Sequence, residues 1–280
     1  MNVRLLPFLC LTLACLLPAC SQAPLVSPAV NAAQASSQRG AQAFTKGEFA
    51  VAQREYTTAL RIHESLGDSA GRASSLLSLA RIYAQTGRRD DALVAVQQVL
   101  NDPVPAGTAT LITAHGRAAA LLLAKGDTKN TDIQLAQATA LCGSACNEAA
   151  ALTVLRSRSA LLQQQPAVAL KLASDAFGLL AASTPPVRQP QASAERANAL
   201  RVRAQAYTAL GEHAAAVESA KAALELDRAL GLADRVQLDL DLLAQTYGAL
   251  GARALSQRYL TLADRARAAS RDLRGNASPD

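Results

Sequence analysis

The chain repeats itself, and that repetition limits its fold more than any other property. Four frames align without gaps: GAQAFTKGEFAVAQREYTTAL (40–60), ARIYAQTGRRDDALVAVQQVL (80–100), AQAYTALGEHAAAVESAKAAL (204–224) and AQTYGALGARALSQRYLTLAD (244–264). Small residues open each frame, an aromatic follows within four residues, and glycine recurs at Gly47, Gly87, Gly211 and Gly251. Two weaker copies, AALLLAKGDTKNTDIQLAQAT (119–139) and SRSALLQQQPAVALKLASDAF (157–177), lie between them, and in the second Gln164 stands where the glycine belongs. A period of about forty residues is a signature of stacked supersecondary units.

Within a frame, Ala80 and Tyr83, Ala204 and Tyr207, and Ala244 and Tyr247 fall three apart, on one face of a first helix. Glycine then ends that helix with a left-handed residue. Small residues at Ala52, Ala59, Ala92, Ala216 and Ala223 let a second helix approach closely. A single hairpin leaves an apolar face open, so hairpins must stack. Composition agrees, since half the residues are hydrophobic and only 3% aromatic, and no stretch alternates as a strand does. These frames resemble the tetratricopeptide repeat, in a variety with longer helices than the usual period of about 34 residues. The resemblance implies an all-α, right-handed α-solenoid of about six helix hairpins spanning 36–270. The proline-rich STPPVRQPQAS (183–193) reads as a loop inserted on the solvent side, and 271–280 as a disordered tail.

The first residues, MNVRLLPFLCLTLACLLPAC, carry one arginine and then a leucine-rich run too short for a membrane span, as a secretory signal does. Leu17-Pro18-Ala19-Cys20 resembles a bacterial lipobox, which makes 1–19 a signal peptide and Cys20 the lipidated residue, with proline a departure from the commonest pattern. The polar, Ala- and Pro-rich stretch 20–35 reads as a flexible tether. Ser21, in place of an inner-membrane retention aspartate, implies an outer-membrane lipoprotein facing the periplasm. Export makes a disulfide between Cys142 and Cys146 the expected state of that pair, stapling the turn between the third and fourth repeats.

Catalytic constellations are missing from the sequence. His63, His115 and His213 sit in separate repeats without metal-ligand spacing and read as solvent-facing, and two cysteines are too few for a zinc site. No phosphate loop, dinucleotide fingerprint or nucleophile elbow occurs, so no enzyme, metal or cofactor is expected. Asp239 and Asp241 in LDLDLL diverge on a helix and form no acid–base pair. The net charge of +6 would point to nucleic acid in the cytosol, but export removes that partner. The remaining reading is a protein or peptide partner, and the resemblance to the tetratricopeptide repeat implies a concave groove lined by first helices to hold it. Arg81, Gln85, Arg117, Arg158, Arg201, Gln205 and Gln245 are the groove candidates, with Asp241 beside the last, and their arginines favour acidic segments. An envelope-assembly scaffold and a regulator of a peptidoglycan synthase or hydrolase both satisfy these features.

Overall fold

The computed structural model describes residues 27–143, 146–182 and 190–275. Every regular element among them is a helix: α1 (Pro28–Thr45), α2 (Phe49–Ser65), α3 (Ser69–Gln85), α4 (Arg89–Leu100), α5 (Thr108–Ala124), α6 (Thr128–Cys142), α7 (Ala149–Leu162), α8 (Pro166–Ala182), α9 (Pro190–Ala209), α10 (His213–Ala229), α11 (Ala233–Ala249) and α12 (Arg253–Gly275). Consecutive odd and even helices pair into six hairpins, and the hairpins stack into an all-α solenoid. Along the stack α3 touches α5, α5 touches α7, α7 touches α9 and α9 touches α11. First helices therefore converge on one side of the array, which becomes its concave face.

The hairpin turns are those the repeat demands. Gly47, Gly87, Gly126, Gly211 and Gly251 have φ between +77° and +82°, and Gln164 takes the same hand at +58°. Each reversal closes with a backbone bond across the helix end, such as Arg88 N–H to Tyr83 C=O at 2.8 Å and Gln165 N–H to Ala160 C=O at 2.9 Å. Alanine builds the interior: Ala52, Ala59, Ala92, Ala216 and Ala223 are completely buried. In the first hairpin the approach is closer still, since a Cβ on Gly40 would lie 3.0 Å from the Tyr56 ring.

Three boundaries differ from the sequence reading. The first helix begins at Pro28, so residues 28–35 are helical rather than tether. Its buried stripe is made of small residues, Ala33, Ser36, Gly40 and Ala43, which carry no conspicuous apolar signal. Residues 190–193, assigned to a loop, open α9, because Pro190 occupies a first-turn position where its missing N–H costs nothing. Likewise α12 runs through Gly275 into the expected tail. The signal peptide, Cys20, residues 183–189 and residues 276–280 lie outside the described residues.

Candidate binding groove

The groove candidates all fall on odd-numbered helices: Arg81 and Gln85 on α3, Arg117 on α5, Arg158 on α7, Arg201 and Gln205 on α9, Gln245 on α11. Two adjoining clefts mark the concave face of the last four repeats. One, of about 480 Å³, is bounded by Leu123, Arg158, Leu161, Gln205, Leu242 and Gln245. The other, of about 580 Å³, shares Arg158 and Gln205 and adds Leu155, Glu195, Arg235 and Leu238. Apolar side chains from α5, α7, α9 and α11 and guanidinium groups from α7, α9 and α11 thus share these walls. Arg81, Gln85 and Arg117 line neither cleft, and Gln85 remains exposed at the last turn of α3.

The four arginines divide into two kinds. Arg81 is exposed and lies over the Phe44 ring of α1, 3.7 Å from its centroid. Arg117 donates through Nη1 to the Leu77 carbonyl, and burial, then the nearby Arg81 charge, lowers its pKa. Arg158 keeps exposed surface but is walled in by the concave face; burial lowers its pKa, Arg201 adds to that, and Glu195 opposes it. None of these three forms an ion pair among the described residues.

Arg201 is the correction. Its side chain is only 12% exposed, and Nε donates to Asp239 Oδ1 at 2.7 Å while Nη2 bonds Asp227. Nη1 donates to Asn198 Oδ1 at 2.9 Å. With its donors turned inward, Arg201 joins α9, α10 and α11 instead of presenting a fork to a ligand. Asp239, read from sequence as one of two diverging acids on an amphipathic helix, is completely buried, as is Asp227. Asp241 accepts from Arg267 of α12 at 3.0 Å.

The histidines are also less open than the sequence implied. His63 is largely enclosed and its Nδ1 lies 2.8 Å from Asp68 Oδ2, while His115 Nδ1 pairs with Gln134 Oε1 at 2.7 Å. His213 Nδ1 is buried with no hydrogen-bond partner among the described residues. No group of three or more His, Cys, Asp or Glu residues among those described could hold a metal ion. Cys142 and Cys146 have Cα atoms 5.4 Å apart, within the range a disulfide spans.

Comparison with curated proteins finds no significant relative. In solved structures the similarity is widespread but distant. A Podosopora anserina protein described as kinesin light chain with nearly identical TPR-like repeats is 19% identical, over 72% of this chain and 97% of its own, with a TM-score of 0.51. BtubC (BKLC) from P. vanneervenii is 14% identical over 91% and 95%, with a TM-score of 0.50. A signal transduction ATPase with numerous domains from Pyrococcus horikoshii, which has a tetratricopeptide repeat sensor, is 13% identical over 88% of this chain but 36% of its own, with a TM-score of 0.61. At such identities the likeness is one of fold. Models described as tetratricopeptide repeat match residues 31–101, the first two hairpins, and 198–230, within the fifth.

Proposed function

We propose that this protein is a membrane-anchored scaffold that holds an acidic peptide segment of a partner protein in its concave groove during assembly of the bacterial envelope. One observation carries the binding half of this reading. Arg81, Arg117 and Arg158 sit on successive first helices with no carboxylate paired to them among the described residues, whereas Arg201 on the next first helix is paired to two. A guanidinium fork in a partly desolvated groove pairs best with a carboxylate, often through two parallel bonds. Leu155, Leu161, Leu238 and Leu242, in the clefts that Arg158 lines, suit apolar side chains flanking the acid. The location half rests on the lipobox-like Leu17-Pro18-Ala19-Cys20, which supports lipidation at Cys20 and an outer-membrane position facing the periplasm.

The test compares two double variants against a fluorescein-labelled peptide alternating Asp and Leu, by anisotropy at low and high salt. Arg117→Ala with Arg158→Ala should weaken binding about tenfold or more and flatten its salt dependence, taking about 1 kcal/mol per lost charged contact. Arg54→Ala with Arg258→Ala removes exposed charges from second helices and should change little. Equal binding by the two pairs, with helicity intact, rejects the groove. In cells, Cys20→Ala should abolish palmitate incorporation and release the protein; membrane association that survives the change rejects the anchor.

A further inference from the structure

The Arg201 cluster holds more acid than base. One guanidinium faces two carboxylates, Asp227 from α10 and Asp239 from α11, and both carboxylates are completely buried. Asp227 Oδ1 has no hydrogen-bond donor among the described residues. A fully ionised cluster would bury one net negative charge and one unsolvated carboxylate oxygen, both costly in the interior. Two carboxylates at one site escape that cost by retaining a proton between them.

The surrounding groups leave the imbalance uncorrected. From α9 come Arg201 and the amide of Asn198. From α7, Arg158 reaches the cluster only as a charge beside Arg201, and Glu195 of α9 partly offsets it. On α11, Arg235 donates instead to the Ala194 carbonyl at 3.2 Å, and Asp241 is held by Arg267 of α12. Among the described residues no second cation pairs with Asp227 or Asp239.

We propose that Asp227, Asp239 and Arg201 form a proton-binding joint between the fifth and sixth repeats, neutral and tight in mildly acidic surroundings and negatively charged near neutral pH. The joint lies under the ligand groove, since Arg201 and Asn198 line the same cleft as Arg158. Proton uptake therefore adds positive charge beneath the groove wall. The direction of titration agrees: burial pushes Asp239 up to about 6, Arg201 opposes, and the Asp227 charge pushes further upward. A carboxyl raised above its unfolded value binds its proton more tightly in the folded chain. Its contribution to stability therefore falls as pH rises from about 4 to about 6 and stays low above that.

The test uses the full chain and does not depend on any ligand. Carbon-13 NMR of labelled aspartate carboxyls should find one midpoint near 6, absent in Asp227→Asn, which leaves Arg201 and Asp239 as a balanced pair. Between pH 5 and pH 7.5, the melting temperature of the unmodified protein relative to Asp227→Asn should drop by about 2–4 °C. An Asp239→Asn variant provides the same comparison if Asp227→Asn fails to fold. Aspartate midpoints all below about 4.5 in the unmodified chain, or an unchanged melting difference at the two pH values, overturns the joint. Either result leaves the peptide-binding test untouched.

Discussion

Replacing Gln164 with glycine should stabilise the solenoid. Gln164 closes the α7–α8 turn at φ +58°, where the other five hairpins use glycine. Its backbone bonds match theirs: Gln164 N–H reaches Leu161 C=O at 3.0 Å, as Gly211 N–H reaches Thr208 C=O at 3.1 Å. The Gln164 side chain is exposed and makes no hydrogen bond with the described residues, so nothing visible offsets the left-handed backbone. An L-residue there costs about 1–2 kcal/mol, while glycine returns about 0.5–1 kcal/mol by loosening the unfolded chain. The difference is a gain of about 0.5–1 kcal/mol, or about 1–4 °C in melting temperature. The reverse change has the same origin. At Gly87 and Gly211 an added Cβ meets nothing within 4 Å, so Gly87→Gln and Gly211→Gln should each lose a comparable amount through backbone strain alone. Urea unfolding followed by circular dichroism measures all three. A Gln164→Gly protein no more stable than its parent, alongside glycine replacements that cost nothing, would refute the turn argument.

Two further substitutions probe the ends of single helices. Asp68 caps α3, accepting from Gly71 N–H at 3.0 Å, and that bond, helped by His63, holds its carboxyl below the usual range. Asp68→Ala should cost about 1 kcal/mol in urea at neutral pH, and the deficit should vanish as acid protonates the carboxylate of the parent below pH 3.8. Cys142→Ser should lower stability by about 2 kcal/mol or less in protein made in the periplasm, and a thiol reductant should impose the same loss on the parent; indifference to reductant would show that the pair is not bridged.

The hairpins were legible because their determinants are local and repeated. Turn glycine, buried alanine and first-helix tyrosine recur at fixed offsets, and even the deviant Gln164 could be placed by counting. Arg201 was misread because its environment is not local: its partners lie 26 and 38 residues away. A first helix inside a solenoid has neighbours on several sides, and α9 touches α7, α8, α10 and α11. Such a helix keeps only a narrow open strip. Periodicity assigns a polar residue to solvent, whereas here Asp239 lies on a side that another repeat covers. A usable signal was present in the offset of 38 that also joins Thr208 to Thr246, since charges of opposite sign at that offset can meet across the repeats. The start of α1 had a signal too, as Ser27 caps it ahead of a first-position proline. It was obscured because a face of Ala, Ser and Gly does not register as hydrophobic.

The same division among arginines bears on what the groove is for. An arginine that serves the fold has its donors met within it. Arg201 does so with Asp227 and Asp239, and Arg72 does so with Asp102 at 2.5 Å and Glu64 at 3.5 Å. Removing such a residue leaves buried acid without a counter-charge and should destabilise the chain. Arg158 has the opposite character: it sits beside another guanidinium in a walled cleft, makes no ion pair among the described residues, and its charged form is disfavoured by both burial and Arg201. Within the fold only the Glu195 charge offsets that cost. Arg158→Ala should therefore leave the stability of the unliganded protein unchanged or slightly raised while weakening capture of the acidic peptide. A structural arginine would lose stability first and binding only as a consequence, so measuring both on the one variant separates the two roles. If Arg158→Ala destabilises the free protein and binds the Asp–Leu peptide normally, the residue supports the fold and the groove has another ligand chemistry.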